Sequence, residues 1–128
     1  MIHDELIEYC LSKPGALLTY PFGPGSTVIK VQSEHSAARI FAQFFMLGGE
    51  PSATFNCDAA MGELLRSAYP GVVTRGYHCP PVQQPYFNTV RLIGVVPDAE
   101  LRGMIDHAYA VVVGKLPKKY QKELGHGE

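Results

Sequence analysis

Residues 38–47 constrain the fold more than any other stretch, because Ile40, Phe41, Phe44, Phe45, Met46 and Leu47 leave little solvent face. A strand this apolar is expected to lie in the centre of a sheet. The flanking chain supplies its neighbours. Two β-rich runs, Leu17 to Phe22 and Thr27 to Gln32, flank Gly23-Pro24-Gly25 and read as a hairpin. Gly48-Gly49-Glu50-Pro51 turns the chain into a further strand near Ala53 to Asn56, and Phe87 to Ile93 resumes as another strand after the proline-rich connection Cys79-Pro80-Pro81 to Pro85.

Helical spacing marks three segments. Ile2, Leu6, Tyr9 and Cys10 lie on one side of residues 2–13, with Asp4 and Glu5 in the first turn and Pro14-Gly15 as the stop. Asp58 is placed to cap a second helix with Met61, Leu64, Leu65 and Ala68 as its buried stripe, ending at Tyr69-Pro70-Gly71. Asp98 and Glu100 fit a cap and first-turn acid for the third helix, whose stripe is Leu101, Ile105, Ala108, Tyr109, Val112 and Leu116. The order of elements predicts an α+β fold, with helices packed on one face of a mainly antiparallel sheet.

A length of 128 residues with 46% apolar content suits one domain spanning 1–128 and leaves no room for a second core. The formal charge of -1 gives no overall basic excess for nucleic acid. Charge is nevertheless uneven. Residues 64–97 hold Arg66, Arg75 and Arg91 without an acid, and Lys115, Lys118, Lys119 and Lys122 crowd the end, where a solvated helix terminus explains them. The amino-terminal sequence lacks the cationic and apolar regions of a signal peptide, and no apolar run is long enough for a membrane span. A cytoplasmic location is therefore expected.

The chemistry-bearing residues do not assemble into a catalytic pattern. Cys10, Cys57 and Cys79 are odd in number and irregular in spacing, so neither a disulfide framework nor a zinc site is expected. No nucleophile is accompanied by an orienting base, and His107 reads as a surface residue. Gly23-Pro24-Gly25-Ser26 lacks the lysine and following helix of a phosphate loop. The expectation is a non-enzymatic protein without metal or cofactor.

Several blocks carry a resemblance. Tyr20-Pro21-Phe22-Gly23, Val28-Ile29-Lys30-Val31 and Ile40-Phe41-Ala42 come first. Tyr69-Pro70-Gly71-Val72-Val73, Gly76-Tyr77-His78 and Asn88-Thr89-Val90 follow in the middle. Val96 to Leu101, Ile105 to Tyr109 and Leu116-Pro117-Lys118-Lys119 close the series. In this order, over roughly residues 5 to 124, they resemble the MmcQ/YjbR family of small bacterial proteins. The resemblance implies a frataxin/CyaY-like sandwich and a "double-wing" DNA-binding role. The chain departs from the family pattern where Asn56 replaces a lysine before the second helix. It departs again where Pro80-Pro81-Val82-Gln83-Gln84-Pro85-Tyr86-Phe87 replaces a short basic segment ending in tryptophan.

For double-stranded DNA, the residues implied are Lys30, Arg39, Arg75 and Arg91 as phosphate contacts, with Tyr77, His78, Phe87 and Asn88 shaping the surface. The alternative on the same fold is a protein-interaction or small-ligand-binding module using the uncharged loop, with Tyr86 and Phe87 as its aromatic contacts.

Overall fold

The computed structural model describes residues 2–76 and 79–125. Its elements are α1 (Ile2–Leu11), β1 (Ala16–Thr19), β2 (Ser26–Val31), β3 (Arg39–Leu47), β4 (Glu50–Asn56), α2 (Ala59–Ala68), β5 (Val73–Arg75), β6 (Phe87–Arg91), α3 (Asp98–Gly114) and α4 (Lys118–Glu123). A short 3-10 turn, Gln84–Tyr86, precedes β6. The strands form one antiparallel sheet ordered β1-β2-β3-β4-β6-β5. β3 is interior, as its composition predicts. Gly48 and Gly49 make the two-residue turn into β4 at φ of 58° and 82°, a left-handed pair for which glycine has no steric penalty.

Helices α1, α2 and α3 all cover the same face. Leu6 and Cys10 of α1, Leu65 of α2 and the full stripe of α3 meet Ile29, Val31, Phe41, Phe44, Phe55, Val73 and Val90 in one core. Phe41, Phe44 and Phe55 are essentially removed from water, which stabilises the fold by roughly 2–3 kcal/mol per ring. α1 is further tied to α3 by Asp106, which accepts hydrogen bonds from the Tyr9 hydroxyl and Lys13 Nζ.

Alternation along β3 is broken once. Ile29 pairs with Ala42 but Lys30 pairs with Ile40, so Phe41 is an extra residue. This bulge keeps both Phe41 and Ala42 in the core and delivers Ile40 to the opposite face.

Four expectations need correction. β1 stops at Thr19 rather than Phe22, because Pro21 has no amide hydrogen to donate and the chain turns through a Gly23 N–H to Tyr20 C=O bond. The stripe expected on α2 is mostly outside: Leu65 is buried, whereas Met61, Leu64 and Ala68 are exposed. Asp98 begins α3 as a first-turn acid, and the cap position belongs to Pro97. His107 is only 22% exposed, and its Nε2 accepts the Asp58 N–H at 3.1 Å, because this flank of α3 faces the start of α2. The cap on α2 does form, with the Asp58 carboxylate accepting the Met61 N–H at 2.7 Å.

The last helix is held by a titratable tether. Glu123 accepts from the His35 ring at 2.8 Å and from its backbone N–H at 3.2 Å. The hydrogen bond to Glu123 raises the His35 pKa above 6.5, and the bond from His35 holds the Glu123 carboxyl below 4.5. The histidine contribution is complete below 6.5 and disappears as pH rises through its elevated folded value. The glutamate contribution is complete above 4.5 and disappears as pH falls through its depressed one. The tether is therefore strongest between those two values. Amide exchange in α4, corrected for intrinsic rates, should show more protection at about pH 5.5 than at about pH 8.5. His35→Ala should remove the difference, and an unchanged pH response in that variant would refute the assignment.

Candidate functional site

The four cations expected to contact phosphate do not share one surface. Lys30 is half-buried on the face of β2 away from the helices, opposite Ile40. Arg91 lies on that same face of β6, three strand positions away, or about 14 Å sideways. Its guanidinium is paired with Glu50, Nη2 reaching the two carboxylate oxygens at 2.9 and 2.8 Å, which cancels its charge locally. Arg75 stands opposite Asn88 on the helix side of edge strand β5. Arg39, at the start of β3, stands opposite the core residue Val31 and is exposed.

The residues expected to shape the surface also divide. Asn88 is 2% exposed: its Oδ1 accepts from Arg66 Nη1 at 2.6 Å, and its Nδ2 donates to the Gly62 carbonyl at 3.3 Å. It ties β6 to α2 instead of facing solvent. Phe87 is half-buried, Tyr86 is half exposed, and Tyr77 and His78 lie outside the described residues.

The face without helices carries a concave groove of about 790 Å³. Register explains its floor. Gln43 of β3 is opposite Thr54 of β4, which is opposite Thr89 of β6; Asn56 is two residues beyond Thr54 and opposite Phe87. Residues two apart on a strand share a face, so Ile40, Gln43, Phe45 and Leu47 join Thr54, Asn56 and Phe87 there. The Thr54 and Thr89 hydroxyls bond to each other at 2.9 Å. The Gln43 and Asn56 carboxamides are half-buried and have no hydrogen-bond partner among the described residues. Phe22, from the β1–β2 turn, and Met46 close other sides.

One wall is the proline-rich loop, through Cys79, Pro80 and Gln83. The loop is anchored rather than free-standing. Gln83 and Gln84 donate their N–H groups to the Pro80 carbonyl, Gln84 Nε2 reaches the Cys79 carbonyl at 3.1 Å, and the Cys57 N–H reaches the Tyr86 carbonyl at 2.9 Å. At Gly62 an added Cβ would lie 2.7 Å from Cys57 Sγ and 3.2 Å from the Pro85 carbonyl, so only glycine lets α2 approach the loop this closely. A wall pinned this way keeps one position without a ligand.

Among the described residues the groove lining contains no Asp, Glu, Lys, Arg or His. It can therefore exclude water from an uncharged molecule and satisfy a few hydrogen bonds, but offers no ion pair. Burial pushes the Cys10 thiol up to about 12 and the Cys57 thiol to about 11, so both are neutral and inert near neutral pH. Among the described residues, no three His, Cys, Asp or Glu side chains gather as metal ligands, and no helix is long and apolar enough to cross a membrane. Sequence reading missed Gln43 and valued Asn56 only as a departure. The available signal was Gln43 as a lone uncharged polar residue inside the most apolar strand.

An antiparallel sheet with three helices on one face and, among the described residues, an uncharged groove on the other defines an α+β domain. The family model described as YjbR matches residues 11–111, and the chain belongs to the YjbR family. It is 27% identical over 124 residues to the protein named YjbR in Escherichia coli (strain K12), covering 97% of this chain and 98% of that one. It is also 27% identical over 126 residues to YbdF of Escherichia coli O157:H7, covering 98% and 96%. The crystal structure of Deinococcus radiodurans protein DR2400, with a DUF419 domain, superposes with a TM-score of 0.85 at 31% identity, covering 98% of this chain and 88% of that chain. A protein from Pseudomonas syringae shares the fold, at a TM-score of 0.68 and 15% identity over 87% of this chain and 98% of that one.

Proposed function

We propose that this protein is a non-enzymatic binding domain that takes a small, uncharged, largely apolar organic molecule in the groove on its open face. The observation that carries the reading is the lining: an open groove of about 790 Å³ bordered by three phenylalanines, Ile40, Leu47, Met46 and Pro80, with no charged side chain among the described residues. Both the size and the apolar character are those of ordinary small-molecule sites. The two departures from the family pattern, Asn56 and the Pro80–Phe87 segment, both border this groove and both substitute neutral groups for cations. Of the loop's two aromatic residues, Phe87 lines the groove, whereas Tyr86 is half exposed and outside the lining.

Duplex DNA is the second reading, favoured by one observation: Lys30, Arg39 and Arg75 form no ion pair among the described residues. Their placement on two faces argues for at most a few phosphate contacts at once. If all three did bind, salt dependence would have a log-log slope of about 2.7, or roughly 40-fold weaker binding between 50 and 200 mM salt.

The two readings separate in paired titrations. N-phenyl-1-naphthylamine, a neutral fluorophore, should bind with a dissociation constant on the order of tens of micromolar and little salt dependence. Phe45→Lys or Ile40→Lys, with unchanged circular dichroism, should abolish the signal. A duplex should bind negligibly. Absence of probe binding, together with duplex binding whose slope falls in the Arg39→Ala/Arg75→Ala variant, would replace the groove reading with the DNA one.

A further inference from the structure

We infer that the groove selects a ligand bearing a planar amide edge, with one N–H donor beside one C=O acceptor, on an uncharged ring system. This inference rests on the groove being a ligand site, and deepens that reading by assigning its polar floor a role. Gln43 and Asn56 sit on adjacent strands, two residues out of register, so their side chains start about 8 Å apart on the same face. Both are half-buried, both lack partners among the described residues, and between them lies Thr54, whose hydroxyl is already engaged with Thr89. Gln83 adds a third carboxamide from the loop wall.

A carboxamide presents a donor and an acceptor side by side. Its natural complement is another amide-like edge, which meets it through two parallel hydrogen bonds, as glutamine and asparagine meet nucleobases. A purely hydrocarbon ligand would strip water from Gln43 and Asn56 and return nothing, which penalises binding. A charged ligand would leave its counter-charge unmet among the described lining residues. The phenyl groups of Phe22, Phe45 and Phe87 border the same space and supply flat apolar surface for a ring. Lactams, cyclic ureides and free nucleobases are the chemical class that meets all three conditions.

The test is displacement of N-phenyl-1-naphthylamine by quinolin-2(1H)-one and by its N-methyl derivative. These probes have nearly the same shape and the same carbonyl, but only the first has the N–H. The wild type should hold the lactam about tenfold more tightly than the N-methyl compound. In the Gln43→Leu/Asn56→Leu variant the two should fall within about twofold of each other, while the naphthylamine still binds. If the double variant does not fold, Gln43→Leu alone should narrow the ratio, and the wild-type ratio stands independently. Equal affinity of the two quinolinones for wild-type protein that binds the naphthylamine would overturn the amide-edge inference and leave the groove reading intact. No binding of any of the three compounds would overturn both.

Discussion

Replacing Tyr109 by alanine is expected to destabilise the domain by about 3–5 kcal/mol, the usual range for truncating a large aromatic side chain in a core. The ring is 6% exposed and meets Phe41 edge-on, with centroids 5.4 Å apart and planes at 81°. Its hydroxyl donates to the Pro14 carbonyl at 2.6 Å, which fastens the end of α1 to α3. Tyr109→Phe retains the packing and removes the bond to Pro14, so it should cost about 1 kcal/mol. Urea unfolding of the three proteins measures both numbers. A domain of this size has roughly 5–15 kcal/mol of stability in total, so the alanine variant should unfold at a visibly lower denaturant midpoint. Near-native stability with impaired binding would make Tyr109 a recognition residue instead.

Asn88→Ala carries the second large effect. The substitution removes the acceptor of Arg66 Nη1 and the donor to the Gly62 carbonyl at a position that is 2% exposed. Leaving such partners unsatisfied costs about 1–3 kcal/mol, more when one is charged, so a loss of about 2–3 kcal/mol is expected. Leucine should not rescue it, because the missing quantity is hydrogen bonding and not volume. Thermal unfolding of Asn88→Ala and Asn88→Leu decides the matter; a leucine variant as stable as the wild type would show that packing alone fixes β6 to α2.

The parts of the fold that could be read in advance are those with an unbroken period. α3 shows its buried stripe at helical spacing, and Leu101, Ile105, Ala108, Tyr109 and Val112 are core, while Leu116 is buried just beyond the helix end at Gly114. The interior place of β3 follows from its composition in the same way. α2 misleads because half of what fixes it is polar. Gly62 and Arg66 face Asn88 and the loop, which leaves Met61 and Leu64 outside although they match the apolar pattern. Charge was the least legible property. A stretch free of acids in sequence suggests a basic patch, yet Glu50 comes to Arg91 from 41 residues away, and strand alternation sends Arg75 to the other face. The groove itself was hidden because Phe45 and Met46 look like core. Only the placement of the helices shows that, among the described residues, one face of the sheet carries none.

The extra residue in β3 sets which changes this strand can accommodate. Deleting Phe41 would restore strict alternation with Ala42 and Ile40 keeping their faces, and would take from the core the ring that meets Tyr109 edge-on. Side chains on the open face can be exchanged one at a time, since few of them hold the helices. The strand's length has less freedom between Ala42 and Leu47, where a one-residue insertion or deletion would exchange core and open faces for the residues on one side of it. The fold therefore tolerates point substitution at Gln43, Phe45 or Asn56 better than a change of length within β3, and length changes are accommodated best in the turns at either end of that strand.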